Sequence, residues 1–172
     1  MENPNTENQY KSWMLDSQEG DSYWCLGGVT VLKATGENTG GSFSMIEENI
    51  PAGVSPPLHV HHDDDELFYI LEGTVTFEIG DDRFTATAGS TVYAPHSVPH
   101  TSLTEKDTRW LMFVHKPGLE QLWASVGRPA DSWTVPEEPV SDEEMECLFD
   151  QLDKYGIEIV GNPLGTDGDL AV

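Results

Sequence analysis

Gly53-Val-Ser-Pro-Pro-Leu-His59-Val-His61-His-Asp-Asp-Asp-Glu66-Leu-Phe-Tyr-Ile-Leu-Glu-Gly73 sets two apolar runs on either side of an acidic turn. Successive side chains of a β-strand alternate between its faces, so His59 and His61 share one face, and Leu58 and Val60 the other. If the chain turns back at His62–Asp65, Glu66 opens a second strand beside the first. Two imidazoles and a carboxylate then converge. These are ligand types that divalent first-row metals accept. The stretch therefore predicts a metal held between strands.

The spacing carries more than an isolated His-x-His pair. Gly53, five residues, His59-x-His61, four residues, Glu66, six residues and Gly73 resemble the first signature of the cupins. Gly89, five residues, Pro95 and then His100 resemble the second signature, which supplies a third histidine. Ser97 stands where a glycine is usual, and Thr104 where an asparagine is usual. Neither is a ligand position, so the departures bear on the local turn and leave the ligand set intact. The 15 residues from 74 to 88 make a compact hairpin between the signatures, as in small single-domain cupins. The resemblance implies an all-β jelly-roll barrel with His59, His61, Glu66 and His100 as metal ligands.

Composition narrows the partners. Eight Lys and Arg stand against 31 Asp and Glu, a net charge of −23. Such a surface repels phosphate backbones and anionic lipid, which disfavours nucleic acid and membrane surfaces as partners. The acidic residues are dispersed, with denser stretches at Asp63–Glu66 and Glu137–Glu146, a pattern that suits a high-salt habitat. No apolar stretch is long enough to span a bilayer, and M-E-N-P-N-T-E-N-Q does not read as a signal peptide, so the cytoplasm is expected. Cys25 and Cys147 are expected to be unpaired, packed thiols.

The chain is expected to form one cupin domain over 1–172. Residues 1–12 form a flexible polar arm, and Ser22–Thr35 gives two strand pieces around Gly27-Gly28. Ser42–Ile46 alternates as a half-buried strand. In the run from Glu66, that residue shares a face with Phe68 and Ile70, while Leu67, Tyr69 and Leu71 share the other; apolar residues on both faces predict burial on both. Val75, Phe77 and Ile79 alternate to a hairpin at Gly80-Asp81-Asp82, with Thr91–Tyr93 a short strand beyond it. Pro95–Pro99 is a loop delivering His100, and Arg109–His115 the last long strand. About eight short strands in this arrangement predict a sandwich-barrel. A helical extension follows over 119–160. Leu119, Leu122, Trp123 and Val126 are spaced for one helix face. Ser141-x-x-Glu144 is a capping box ahead of Met145, Leu148, Phe149 and Leu152, and Gly156 ends that helix. These faces are expected to cover one sheet or one barrel mouth.

Three histidines and a glutamate leave coordination positions open, as a catalytic metal requires. The ion is one divalent transition metal: iron, nickel, cobalt, manganese, copper and zinc all suit three nitrogens and one oxygen. Phe68, Ile70, Val75, Phe77, Met112 and Trp110 are expected to line an apolar cavity, with Phe68, Phe77, Met112 and Tyr69 as substrate contacts. The single-cupin spacing and the tail K-Y-G-I-E-I-V-G-N-P-L are similar to the small quercetin 2,3-dioxygenase-like cupins. The family implies dioxygen and a flavonol or related enolisable aromatic as substrates, with Glu66 taking the proton of the metal-bound hydroxyl before the ring opens and carbon monoxide is lost. A metal-dependent isomerase or hydrolase and a non-catalytic binding cupin are the alternatives on the same scaffold. A homodimer is expected. His62 reads as surface, His96 as a candidate neighbour of the ligands and His115 as a strand-end residue.

Overall fold

The computed structural model describes residues 11–17 and 19–165. Nearly all of the expected N-terminal arm, and the tail beyond residue 165, lie outside them. The strands are β1 (Asp21–Cys25), β2 (Gly28–Ala34), β3 (Phe43–Ile50), β4 (His59–His61), β5 (Asp65–Glu72) and β6 (Thr74–Ile79). They continue with β7 (Asp82–Thr87), β8 (Thr91–Ala94), β9 (His100–Thr104), β10 (Thr108–His115), β11 (Arg128–Pro129) and β12 (Ile157–Ile159). Two helices, α1 (Leu119–Val126) and α2 (Asp142–Gln151), precede β12. The strands make a seven-stranded sheet, β11-β1-β2-β3-β10-β5-β8, and a five-stranded sheet, β12-β4-β9-β6-β7, with every pairing antiparallel. This is the jelly-roll architecture that the strand pattern predicts.

Alternation sets what the sheets enclose. Ser44, Val114, Glu66 and Ala94 form one buried row across β3, β10, β5 and β8. Ile46, Met112, Phe68 and Val92 form the next, and Glu48, Trp110 and Ile70 the third. Phe68, Phe77 and Trp110 meet as a ring cluster with centroids 5.1–6.0 Å apart, in the tilted and edge-on geometries that aromatic quadrupoles favour.

The structure corrects several sequence expectations. β5 is buried on one face only: Leu67 and Tyr69 are 36% and 40% exposed on the outside of the sheet. A strand apolar on both faces here has an outer face left open. β3 runs four residues past Ile46, because Glu47 and Glu48 are both buried with partners. Glu47 lies 3.8 Å from the Lys33 ammonium and 3.1 Å from Nε of Arg109. Residues 100–104 are a strand and not simply the end of a loop, since β6 pairs with all five of them.

The turns around the site use the left-handed backbone that glycine favours. Gly73 has φ +97°, and a Cβ there would sit 2.5 Å from the Asp107 carbonyl oxygen, so a side chain has no room. The C-terminal elements pack onto the barrel. Leu119, Leu122, Leu148 and Leu152 join the core cluster. The Glu120 carboxylate, only 2% exposed, accepts from Gly118 N–H at 2.7 Å and Gly36 N–H at 2.8 Å. It thus satisfies the first turn of α1, where Gly118 offers no side chain, and ties the β2–β3 turn to the helix.

Candidate metal centre

The two sheets meet at four side chains. His59 and His61 point inward from β4, His100 opens β9 directly opposite His59, and Glu66 comes from β5 in the other sheet. β4 is three residues long. It pairs with β9 at one register position and with β12 at three, so the C-terminal strand is its main partner. The turn after β4 is held by Ser97, whose N–H donates to the His61 carbonyl at 2.7 Å with φ +61°. This is the position where a glycine was expected, and the backbone takes the glycine conformation regardless. Thr104 also does the anchoring work of its position. Its hydroxyl donates to the Pro51 carbonyl at 2.7 Å and accepts from Val54 N–H at 3.0 Å, fixing the approach to β4.

The ring centroids of the three histidines lie 4.4–5.4 Å apart. One donor atom from each of the four residues lies within 4.8 Å of all the others. That is close to twice the ~2.0–2.2 Å of a metal–nitrogen or metal–oxygen bond, the span that one ion's shell allows. Backbone carbonyls fix the tautomers: Nδ1 of His59 donates to Pro57 O at 2.8 Å, and Nδ1 of His100 to Val98 O at 3.2 Å. That leaves Nε2 of each ring facing the centre, where Nε2 of His100 is hydrogen-bonded to the Glu66 carboxylate. Glu66 Oε2 lies 2.8 Å from Nε2 of His100, and Oε1 lies 3.9 Å from Nε2 of His61. Nδ1 of His61 is buried without a hydrogen bond, with the Asp64 carboxylate 3.9 Å away as the nearest acid. Three nitrogens and one oxygen gathered this way could hold a divalent ion.

Electrostatics act differently on the members of the set. Burial, reinforced by the neighbouring His100, lowers the His59 pKa to about 4, so this imidazole is neutral at physiological pH. Burial also pushes His61 down, but the Glu66 and Asp64 carboxylates outweigh it and hold its pKa above the ordinary value. For Glu66, burial alone would raise the pKa; the imidazoles of His61, His100 and His59 overcome it and bring it to about 2. Glu66 is therefore ionised at neutral pH while fully buried.

These four residues form one wall of a cavity of about 640 Å³, inside the ~300–1,000 Å³ range of small-molecule sites. Phe68, Phe77, Trp110 and Met112 line it from the barrel, and Leu122 and Leu148 from the helices. The helices thus cover the barrel mouth. Neither Lys nor Arg is among the lining residues. Three expectations fail here. Tyr69 faces out of the barrel and does not line the cavity, and Ile70 and Val75 pack in the core instead. His62 is exposed against Glu158 at 3.0 Å, as read. His96 is exposed and bound to Asp65 at 2.7 Å, away from the ligand cluster, and His115 is exposed at the end of β10. Glu48 and Trp123 also line the cavity, and sequence reading gave neither a role there. The alternation Ser44, Ile46, Glu48 was the available signal for the first.

Residues 46–114 match the cupin domain model. The matched stretch runs from β3 to β10 and contains all four clustered residues, so the likeness to the cupins lies in the part of the chain that builds the site. Among characterised relatives, quercetin 2,3-dioxygenase of Bacillus subtilis is 28% identical over 134 residues, covering 77% of this chain and 39% of that protein. An uncharacterised protein of Methanocaldococcus jannaschii is 35% identical over 57 residues, 33% of this chain and 46% of its own length. The chain thus spans less than half the length of either relative. Among solved structures, KdgF from Halomonas sp. superposes with a TM-score of 0.55 at 15% identity, over 64% of this chain and 99% of that one. A predicted oxalate decarboxylase from Thermotoga maritima gives 0.54 at 19% identity, over 60% and 99%. These two likenesses concern the fold.

Proposed function

We propose that this protein is a metal-dependent dioxygenase of quercetinase type, acting on a flavonol or a related enolisable aromatic. One observation carries the reading: a cluster of three imidazoles and a carboxylate lines a mainly apolar cavity that no Lys or Arg side chain lines. Beyond the ion itself, a sugar phosphate or a dicarboxylate would meet no Lys or Arg side chain in such a cavity. A flat aromatic with one acidic hydroxyl matches both its walls and its metal-capable end. The partial relationship to quercetin 2,3-dioxygenase points the same way.

In this reading His59, His61, Glu66 and His100 hold the ion. When bound, it supplies Lewis acidity that acidifies a coordinated hydroxyl. Glu66, the one carboxylate of the set, takes the hydroxyl proton as general base in this reading. Phe68, Phe77 and Met112 hold the rings, and the helical cover excludes water from the enolate. Dioxygen then adds both its atoms to the organic product as the ring opens and carbon monoxide leaves. We further propose that the chain works as one cupin unit and as a homodimer, and that it resides in the cytoplasm. The cysteines are both free, and among the described residues no helix is long and apolar enough to cross a membrane.

Glu66→Gln tests the central role. The amide keeps the shape and an oxygen donor but takes no proton. At full metal occupancy, turnover measured as dioxygen uptake with a flavonol should fall by ~10²–10⁴-fold. An undiminished rate would reduce Glu66 to a ligand. Turnover of a substrate without dioxygen would favour an isomerase or hydrolase, and tight binding without turnover a binding module.

A further inference from the structure

The cavity holds a second buried acid two interior rows along the sheet from Glu66. Glu48 faces inward from β3 and is 9% exposed. It belongs to the third interior row, with Trp110 and Ile70, whereas Glu66 belongs to the first. Four residues of strand separate those rows, ~13 Å at ~3.3 Å per residue. The cavity therefore has two polar ends, with Phe68 and Met112 in the row between them.

Glu48 is more than its packing requires. Its Oε1 accepts from the Thr30 hydroxyl at 3.0 Å and its Oε2 from the Trp110 indole N–H at 2.7 Å. A glutamine could serve Thr30 or Trp110 without burying a charge, and a buried carboxylate without a cation is costly. The neighbouring cations are committed elsewhere. Lys33 binds three backbone carbonyls and approaches Glu47, while Arg109 pairs with Glu47 and Glu72. Burial, with the Glu66 charge adding to it, raises the Glu48 pKa above the ordinary carboxylate value. Each of its oxygens retains a lone pair beyond the bond it already accepts.

Beside it lies an unmet donor. Trp123 on α1 also lines the cavity. Its indole N–H is directed at Glu48 and favours the ionised acid, but it completes no hydrogen bond to Glu48 or to any other partner among the described residues. An acceptor with spare lone pairs and a donor short of a full bond thus lie side by side in the cavity wall. A hydroxyl group answers both at once, donating to Glu48 and accepting from Trp123; a carbonyl or an ether oxygen answers only one.

We infer that Glu48 and Trp123 form a hydroxyl-recognition site at the end of the cavity away from the metal centre, selecting aromatic substrates that carry a second hydroxyl remote from the metal-binding one. This rests on the flavonol reading proposed above and adds to it a reason for discrimination among flavonols. A site built to pair a hydroxyl rejects the analogue lacking it more strongly than an apolar wall rejects an added one.

The test is an anaerobic titration of metal-replete, full-length protein with quercetin and with unsubstituted flavonol, which keeps only the metal-binding hydroxyl. Wild type should prefer quercetin by roughly tenfold or more, the value of one hydrogen bond to a charged group. Glu48→Gln should shrink that preference severalfold. Trp123→Phe, which keeps the aromatic wall, should shrink it by a smaller factor, and it carries the test if the Glu48 variant does not fold. Equal affinity of wild type for the two ligands would overturn this assignment alone. So would a Glu48→Gln or Trp123→Phe variant that weakens both ligands equally, the mark of a structural tie. If wild type binds neither ligand, the flavonol reading falls and this assignment falls with it.

Discussion

At the scale of single residues, Ser97 shows how a motif position can be occupied by the wrong residue and still do its work. Its φ of +61° is the conformation that a glycine would take at little cost, and its N–H holds the His61 carbonyl. Ser97→Gly should therefore stabilise the fold by up to about 1 kcal/mol, since the left-handed penalty of a side chain exceeds glycine's extra entropy loss. A higher urea midpoint at unchanged slope would register it, and a lower midpoint would refute it. The sequence made the four clustered residues legible because their chemistry and spacing are rare together. Glu48 was not legible for the opposite reason. Two glutamates and an asparagine after Ile46 read as the end of a strand, and only the partners Thr30, Trp110, Lys33 and Arg109 from other strands reveal that the strand goes on. Tyr69 was overvalued: alternation from Glu66 already puts it on the opposite face, and it is indeed exposed.

At the scale of elements, periodicity foretold the apolar faces of the helices but not what they would cover. α1 lies over the barrel mouth with Leu122 completely buried against the cavity. Leu122→Ala should cost about 2–3 kcal/mol, the low end for such truncations because the side chain already borders open volume. It should also admit bulkier ligands. Chemical denaturation with a ligand-size series checks both, and a cost under 0.5 kcal/mol would mean that the helix is loosely docked (threshold taken from ordinary surface substitutions, about ±0.5 kcal/mol). The capping box at Ser141 formed only by half. The Ser141 hydroxyl accepts from Glu144 N–H at 3.1 Å, as the motif predicts. The Glu144 carboxylate reaches instead to the Leu26 N–H between β1 and β2, docking α2 on the seven-stranded sheet. A local motif gave the helix start, and a tertiary partner took the second bond.

At the scale of the molecule, two features oppose each other. The outer face of the seven-stranded sheet carries a row of Met45, Phe113, Leu67 and Tyr93 across four strands, and Tyr69 beside Leu111 in the next row. Exposed apolar surface of this extent is what self-association buries. The net charge of −23 resists that association. The proposed homodimer should therefore be salt-dependent. The Debye length falls from ~30 Å at 0.01 M to ~3 Å at 1 M salt, so sedimentation should show dimer in molar salt and dissociation at low ionic strength. A monomer under both conditions would count against the dimer. The composition announced the charge from the outset, but the apolar row was hidden in β5, β8 and β10, whose outward residues looked like core.

The pairing of β12 with β4 has a consequence for how the protein comes into being. Three residues carrying two of the histidines have as their principal strand partner a segment roughly a hundred positions later, Ile157 to Ile159 against His59 to His61. A ribosome must therefore translate to residue 159, and release that segment from its exit tunnel, before the ligand strand can be locked in place. Until then β4 has only its single register position against β9. On the proposed metal reading, the four-residue set is therefore complete only in a nearly finished protein, not in a nascent one.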